Sequence, residues 1–275
     1  MKKILELDQY WDLLNKYQEK IPDMVYNHMM LPGEAAPHID EGKLYYEEQK
    51  DGIVFSVKEK DFCKLYFYIS EEAEIVLPEE DRTQLIECIY REEKEDSHIQ
   101  KLRKKTEAAG FCPYVKNIRI RAEIQEKDLI PLDRKNLRQD LSWKYASEED
   151  IPAIYELWEI MDIYNSTIPE EKKLKEMLEE KELITVWKEG KICGVARVKL
   201  ENRRTGSIWL ITVSKELRKQ GIASELYRLC FSILKEKGCR YVIQWCDEKN
   251  RAVICASEKF GFQFDGTISR SYIHK

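Results

Sequence analysis

No stretch of the 275-residue chain approaches the roughly 18 uncharged apolar residues of a membrane-spanning helix, which excludes a helical membrane protein and leaves no membrane among the expected partners. The opening Met1-Lys2-Lys3-Ile4-Leu5-Glu6-Leu7-Asp8 breaks its apolar run with acids at once, so no secretion signal is expected. Cysteine occurs eight times, but never as C-x-x-C and never beside a histidine at zinc spacing, and there are only four histidines. That excludes the usual zinc modules, leaves no metal to expect, and points to reduced thiols in a cytoplasmic protein. A basic excess is missing too. The formal charge is −5, with 23 basic against 30 acidic residues in 1–140 and 23 against 21 in 141–275. Halves of −7 and +2 argue against a nucleic-acid binder, which shows a basic stripe over a positive domain. They leave room for a small anionic ligand in the second half.

What is present is core-forming material: 43% hydrophobic residues, with 15 Tyr, 8 Phe and 6 Trp, which excludes a disordered chain. The length allows two domains, expected as 1–140 and 141–275, with the crossing between them in 127–142. In the second half, Ser147-Glu148-Glu149-Asp150 with Pro152 opens a helix whose apolar face is Ile154, Leu157, Trp158 and Met161. A charged helix follows over 169–182, then a hairpin of strands 183–188 and 192–200 around Gly190, and a strand Ser207–Val213. A helix ended by Gly238, an apolar strand Cys239–Cys246, a helix Asn250–Phe260 with Gly261 as its cap, and two strands near 262–264 and 267–273 complete the order.

The first half shows a hairpin around Asp51-Gly52, a strand at 65–69, helices over 8–20, 79–95 and 98–109, and an alternating strand 114–124. His28 and His38 flank Met30-Leu31-Pro32-Gly33, which reads as surface packing or as a loop. Glu107-Ala108-Ala109-Gly110-Phe111 echoes Glu258-Lys259-Phe260-Gly261-Phe262, each at a helix end, and suggests a diverged duplication.

The chemistry concentrates where the strand ending at Val213 turns into a helix opening with Gly221, Ile222 and Ala223. A helix start presents unpaired N–H groups and a partial positive charge, so small residues there let the backbone close on a phosphate. An ordinary strand-to-helix turn with one glycine reads the same way. The run Arg218-Lys219-Gln220-Gly221-Ile222-Ala223 fits R/Q-x-x-G-x-G/A, and through it the chain resembles the GNAT superfamily of acetyl-CoA-dependent N-acyltransferases. A second stretch, Asn250 to Phe262, is similar to that family's N-x-x-A-x-x-x-Y-x-x-x-G-F, with Asn250 and Gly261-Phe262 in register and Ser257 at the tyrosine position.

The resemblance implies a fold and a site. Residues 141–275 would form a mixed-sheet α/β GNAT domain, and 1–140 a second α/β domain, a degenerate GNAT-like repeat: its four glycines, at 33, 42, 52 and 110, include no R/Q-x-x-G-x-G/A run. Backbone amides of residues 218–223 would hold the CoA pyrophosphate, and Ile211 and Val213 would meet the pantetheine through their backbones, with the Val213 N–H polarising the thioester. Arg218 fits either an anion contact or support of the loop. Asn250 would bond the pantetheine arm and also suits a helix N-cap. The family's tyrosine acid is replaced by Ser257, acting through water, and the departing thiol, with a pKa near 8.5, tolerates the lack of an acid.

An attacking ammonium needs a base, yet 206–213 holds no carboxylate, which leaves Glu201 and, after the next strand, Asp247 and Glu248. Cys246 and Cys255 offer an acyl-cysteine alternative without a nearby histidine, and Trp209 and Trp245 line either a pocket or the core. The expected function is N-acetyl transfer from acetyl-CoA to a primary amine of a small molecule or peptide; the alternative is a CoA-binding or regulatory protein that has lost turnover.

Overall fold

The strands β1 (Lys2–Lys3), β2 (Val25–Tyr26), β3 (Leu44–Gln49), β4 (Gly52–Lys58), β5 (Phe62–Ile69) and β6 (Thr83–Arg91) alternate with α1 (Leu7–Lys20), α2 (Pro32–Asp40) and α3 (Ser97–Ala108) in the first part of the chain. After β7 (Cys112–Glu123) come β8 (Asn136–Arg138), β9 (Leu141–Tyr145), α4 (Ile151–Trp158), α5 (Glu171–Glu179), β10 (Leu183–Lys188), β11 (Lys191–Asn202), β12 (Thr205–Val213), α6 (Ile222–Glu236), β13 (Tyr241–Asp247), α7 (Arg251–Glu258) and β14 (Gln263–His274). The computed structural model describes residues 1–92, 97–133, 136–138 and 140–275. Among these described residues no helix is long and apolar enough to cross a membrane.

Two compact units emerge: Met1–Asn117 with Gly266–Lys275, and Ile118–Asp265. Their bounds differ from 1–140 and 141–275, because the chain leaves unit 1 within β7 and re-enters it within β14. The expected crossing at 127–142 lies in unit 2 instead, and its residues 134, 135 and 139 fall outside the described set.

In unit 2 the strand order is β7-β13-β12-β11-β10-β9-β8; β8 to β12 pair antiparallel, and β12 runs parallel to β13. Alternation along β11 sends Ala196 and Val198 to one face, where Leu226, Leu229 and Ile233 of α6 cover them, and Val195 to the other, against Trp158, Leu174 and Met177 of α4 and α5. Each fully buried aliphatic side chain contributes about 1.5–3 kcal/mol. A β-carbon on Gly194 would stand 2.9 Å from Leu226 Cδ1, so this glycine sets how closely α6 approaches the sheet.

Unit 1 orders its strands β1-β3-β4-β5-β6-β14-β7, with β2 added on β5. Helices α1 and α2 bring Tyr10, Leu14 and Ile39 onto Leu44, Phe55 and Val57, while Leu102 of α3 packs on the other side with Val54, Leu65 and Ile86.

Three expectations change. The helix expected over 79–95 is β6 up to Arg91, and its residues 93–95 lie outside the described set. Gln84, Leu85 and Ile86 are buried in succession, on both faces of β6, so the strand lacks the two-residue alternation that would separate it from a helix. The two closing strands are one, β14, which carries Gly266 at φ +85 within it. Pro32 is no loop residue but opens α2, with Leu31 N donating to Glu34 Oε2 at 2.7 Å, and Met30 is buried.

The echoed motif holds in detail. Phe111 N donates to Thr106 O and Phe262 N to Ser257 O, five residues back in both cases. Gly110 and Gly261 take φ of +87 and +75. Each helix therefore ends in a Schellman turn with a buried phenylalanine after the glycine, and each turn launches a 12-residue strand.

Candidate functional site

The site grows from one strand. β12 pairs with β13 only at Thr205↔Tyr241, Gly206↔Val242 and Ser207↔Ile243, and beyond Ser207 the two strands part. On its other edge β12 stays on β11, but the register shifts between Trp209 and Thr212, where Leu210 and Ile211 face the single residue Ala196. This is a β-bulge, and Leu210 within it has φ +50, a left-handed conformation that costs a branched residue about 1–3 kcal/mol. Two donors reach the carbonyl that the bulge frees: the Trp158 indole Nε1 at 3.2 Å and, more weakly, Thr212 Oγ1 at 3.4 Å. Ser214 N donates to Cys193 O at 3.0 Å, so ladder alternation turns the N–H and C=O of Val213 away from β11, toward the side where β13 has departed.

The chain then reaches α6 through a short 3₁₀ turn, Lys215–Leu217. Lys219 at φ +64 and Gly221 at φ +82 bend it sharply, and Gly221 is the N-cap of the helix. Ile222 is buried under α6, while Arg218, Lys219, Gln220 and Gly221 are exposed and Ala223 is half-buried. Arg218 Nε lies 3.4 Å from Val213 O, a long contact that ties its side chain back to the strand end.

Two residues that sequence reasoning missed brace this loop. Arg138 Nη1 donates to Gln220 O at 2.8 Å and stands 3.3 Å from where a β-carbon on Gly221 would be. Lys188 Nζ donates to Gln220 Oε1 at 3.0 Å. Asp140 sits between them, accepting from Arg138 Nε at 2.6 Å and pairing with Lys188 at 3.5 Å; the Arg138 hydrogen bond holds its carboxyl below the usual range. Nothing in the local sequence marks Arg138, 82 positions before its partner.

The remaining candidates separate. Asn250 is the N-cap of α7, its Oδ1 accepting from Val253 N at 3.2 Å. Asp247 Oδ1 accepts from Lys249 N at 2.9 Å and shapes the turn after β13, with the half-buried Glu248 beside it. Ser257 is buried, and its hydroxyl donates to Ile254 O at 2.9 Å, so its only side-chain proton is held within the helix. Burial pushes the Cys246 thiol up to about 11, which leaves little thiolate for covalent chemistry at neutral pH. Glu201 is better placed: its carboxylate accepts from Ser207 Oγ at 2.5 Å, and Ser207 Oγ in turn accepts from the indole N–H of the exposed Trp209 at 2.7 Å. The chain of hydrogen bonds thus runs through Ser207, where β12 and β13 part, and ends on the Glu201 carboxylate.

Unit 1 contains a counterpart of the parting strands. β5 runs parallel to β6 from Phe62↔Thr83 to Leu65↔Ile86 and then separates. There the edge of β5 is taken by β2, at Val25↔Ile69 and Tyr26↔Tyr68. The buried Asn27 spans the gap: Nδ2 donates to Leu65 O at 3.0 Å and Glu87 O at 3.1 Å, and Oδ1 accepts from Phe67 N at 2.8 Å. β5 has no bulge, and residues 70–82 form no helix.

No curated protein matches the sequence. The acetyltransferase (GNAT) family model matches residues 151–262. Among solved structures, a tandem GNAT protein from the clavulanic acid biosynthesis pathway superposes with a TM-score of 0.59 at 10% identity, over 99% of this chain and 97% of that one. A GCN5-related N-acetyltransferase from Sphaerobacter thermophilus gives 0.58 at 12% identity, over 96% and 90%. A GNAT-family acetyltransferase from Colwellia psychrerythraea gives 0.54 at 15% identity, over 100% and 99%. At these identities the likeness concerns the fold. The whole chain has the fold of tandem GNAT proteins, and its residues 151–262 match the model of the acetyltransferase (GNAT) family.

Proposed function

We propose that the protein transfers an acetyl group from acetyl-CoA directly to a primary amine of a small molecule or peptide. The observation that carries this reading is the edge of β12: past Ser207 it leaves β13, turns the polar groups of Val213 to the open side, and runs into a glycine-capped helix start. An extended arm carrying amides pairs with such an edge, and a phosphate suits the N–H groups after it. Backbone amides of 218–223, braced by Arg138 and Lys188 through Gln220, would hold the pyrophosphate, and Ile211, Val213 and Asn250 the pantetheine.

Catalysis then rests on positioning and on one proton. The amine nitrogen attacks the thioester carbonyl carbon, a C–N bond forms, the C–S bond breaks, and CoA leaves as its thiolate, a leaving group that needs little assistance near neutral pH. The Val213 N–H would polarise the carbonyl. The proton lost by the amine leaves through water in the gap between β12 and β13 to the exposed carboxylate of Glu201, the base that already accepts from Ser207 Oγ at 2.5 Å. The exposed Trp209 offers the acceptor an apolar wall with cation–π character.

Acetyl-CoA consumption against a panel of primary amines, followed by thiol release with calorimetry of CoA binding as control, tests the reading. In Glu201→Gln we expect turnover to fall about 100-fold with CoA affinity unchanged. Parent protein that binds no CoA would sink the proposal. Tight binding with no amine turned over favours the second reading, a CoA-binding regulatory protein, which the internal commitment of the Ser257 hydroxyl supports.

A further inference from the structure

Trp158 is the last residue of α4 and is 2% exposed, among Ile154, Leu174, Met177, Leu183 and Val195. A tryptophan in such surroundings needs a partner for its one polar atom. Here that partner is no helix or loop group but the carbonyl of Leu210, the residue held at φ +50 in the middle of a strand. The bulge takes this carbonyl out of the regular β11 ladder, and a carbonyl without a partner would draw β12 back toward a regular strand.

We propose that Trp158 is a positioning residue: its indole N–H holds the Leu210 carbonyl, and by doing so keeps the bulge that presents the Ile211–Val213 edge to a ligand. The role in ligand binding rests on the acetyl-CoA reading above; the hold on the bulge does not. Trp158 touches neither the loop 218–223 nor α6 among its described hydrogen bonds, so the inference separates two parts of one ligand. The anionic end should bind independently of Trp158, and the amide-bearing arm should not.

Trp158→Phe keeps the ring and removes the donor. Calorimetry with adenosine 3′,5′-bisphosphate, a probe for the loop alone, should give an affinity equal to that of the parent within about twofold. CoA affinity should fall about fivefold, the scale of one hydrogen bond. Adding Leu210→Gly, which adopts a positive φ at no cost, should restore CoA affinity to the Trp158→Phe protein, because the bulge no longer needs the indole to hold it. Hydrogen exchange of the 208–214 backbone in free protein reads the hold without any ligand: several-fold faster in Trp158→Phe, and returned toward the parent in the double variant. Equal loss of affinity for both probes, unchanged exchange in Trp158→Phe, or no rescue by glycine would each show that the tryptophan only fills space and overturn the proposal. A parent protein that binds no CoA but shows the exchange pattern would overturn the role in ligand binding together with the acetyl-CoA reading, while upholding the hold on the bulge.

Discussion

Both units contain a pair of parallel strands that separate halfway along, and they treat the separation differently. In unit 1 the exposed edge of β5 is consumed by Val25 and Tyr26, and Asn27 places three hydrogen bonds across the gap. In unit 2, among the described residues, no strand takes the β13-side edge of β12 beyond Ser207, the strand carries a bulge at Leu210, and a helix opens shortly after it. Backbone amides must find partners somewhere. Unit 1 meets that need at its gap from its own sequence and so offers no open edge there; unit 2 defers it, at the expense of a strained leucine. A single fold therefore serves as scaffold in one copy and as a candidate binding site in the other, and a short inserted strand together with the loss of one helix is enough to distinguish them.

The contrast breaks most completely at Gly221. Gly221→Glu puts a side chain at φ +82 and a negative charge at the head of α6, and we expect CoA binding to disappear while circular dichroism and the melting profile of unit 1 stay as in the parent. Binding retained at the parental level would remove the loop from the site. The complementary cut is Asn27→Ala, which leaves two carbonyls and one amide of β5 and β6 without their partner; unit 1 should lose about 3 kcal/mol in urea denaturation while CoA affinity is unchanged. A loss of CoA affinity there would mean that the gap in unit 1 is not a closed counterpart.

The smallest effect concerns pH. His38 of unit 1 is held below its ordinary pKa of about 6.5 by burial, against the upward pull of Glu59 and Glu41 and with Lys64 and Lys43 adding to the depression. The unfolded chain therefore takes up a proton more readily than the folded one. Stability is full above pH 6.5 and declines as the pH falls below it, by at most about 1.4 kcal/mol per pH unit. His38→Leu should flatten that slope in denaturation experiments between pH 7 and pH 5.5, and an unchanged slope would assign it elsewhere.

Much of unit 2 was legible because its signals are local. Gly221 marks the loop, Asn250 and Gly261 bracket α7, and the period of Leu226, Leu229 and Ile233 defines α6. What was not legible depends on distant pairings. β6 reads as a helix until β5 and β14 are known to flank it. Trp158 fits an apolar helical face whether or not its indole finds Leu210, 52 residues on. Arg138 meets the loop only because β9 and β10 bring the β8 end near Lys188, and Glu201 is distinguished from other surface carboxylates only by Ser207 across the turn. The proposed catalytic carboxylate thus lies on β11, outside both runs, 218–223 and 250–262, that carry the family resemblance.

Gly266–Lys275 has a consequence for synthesis. These ten residues, made only after the whole of unit 2, supply most of β14, which stands between β6 and β7 in the sheet of unit 1. Domains ordinarily mature in the order in which they are translated. Here unit 1 has a slot in its sheet until Gly266–Lys275 follow unit 2 out of the ribosome, so the half that begins first is completed after the other, and a chain stalled before Gly266 exposes two unpaired strand edges in the middle of its first sheet.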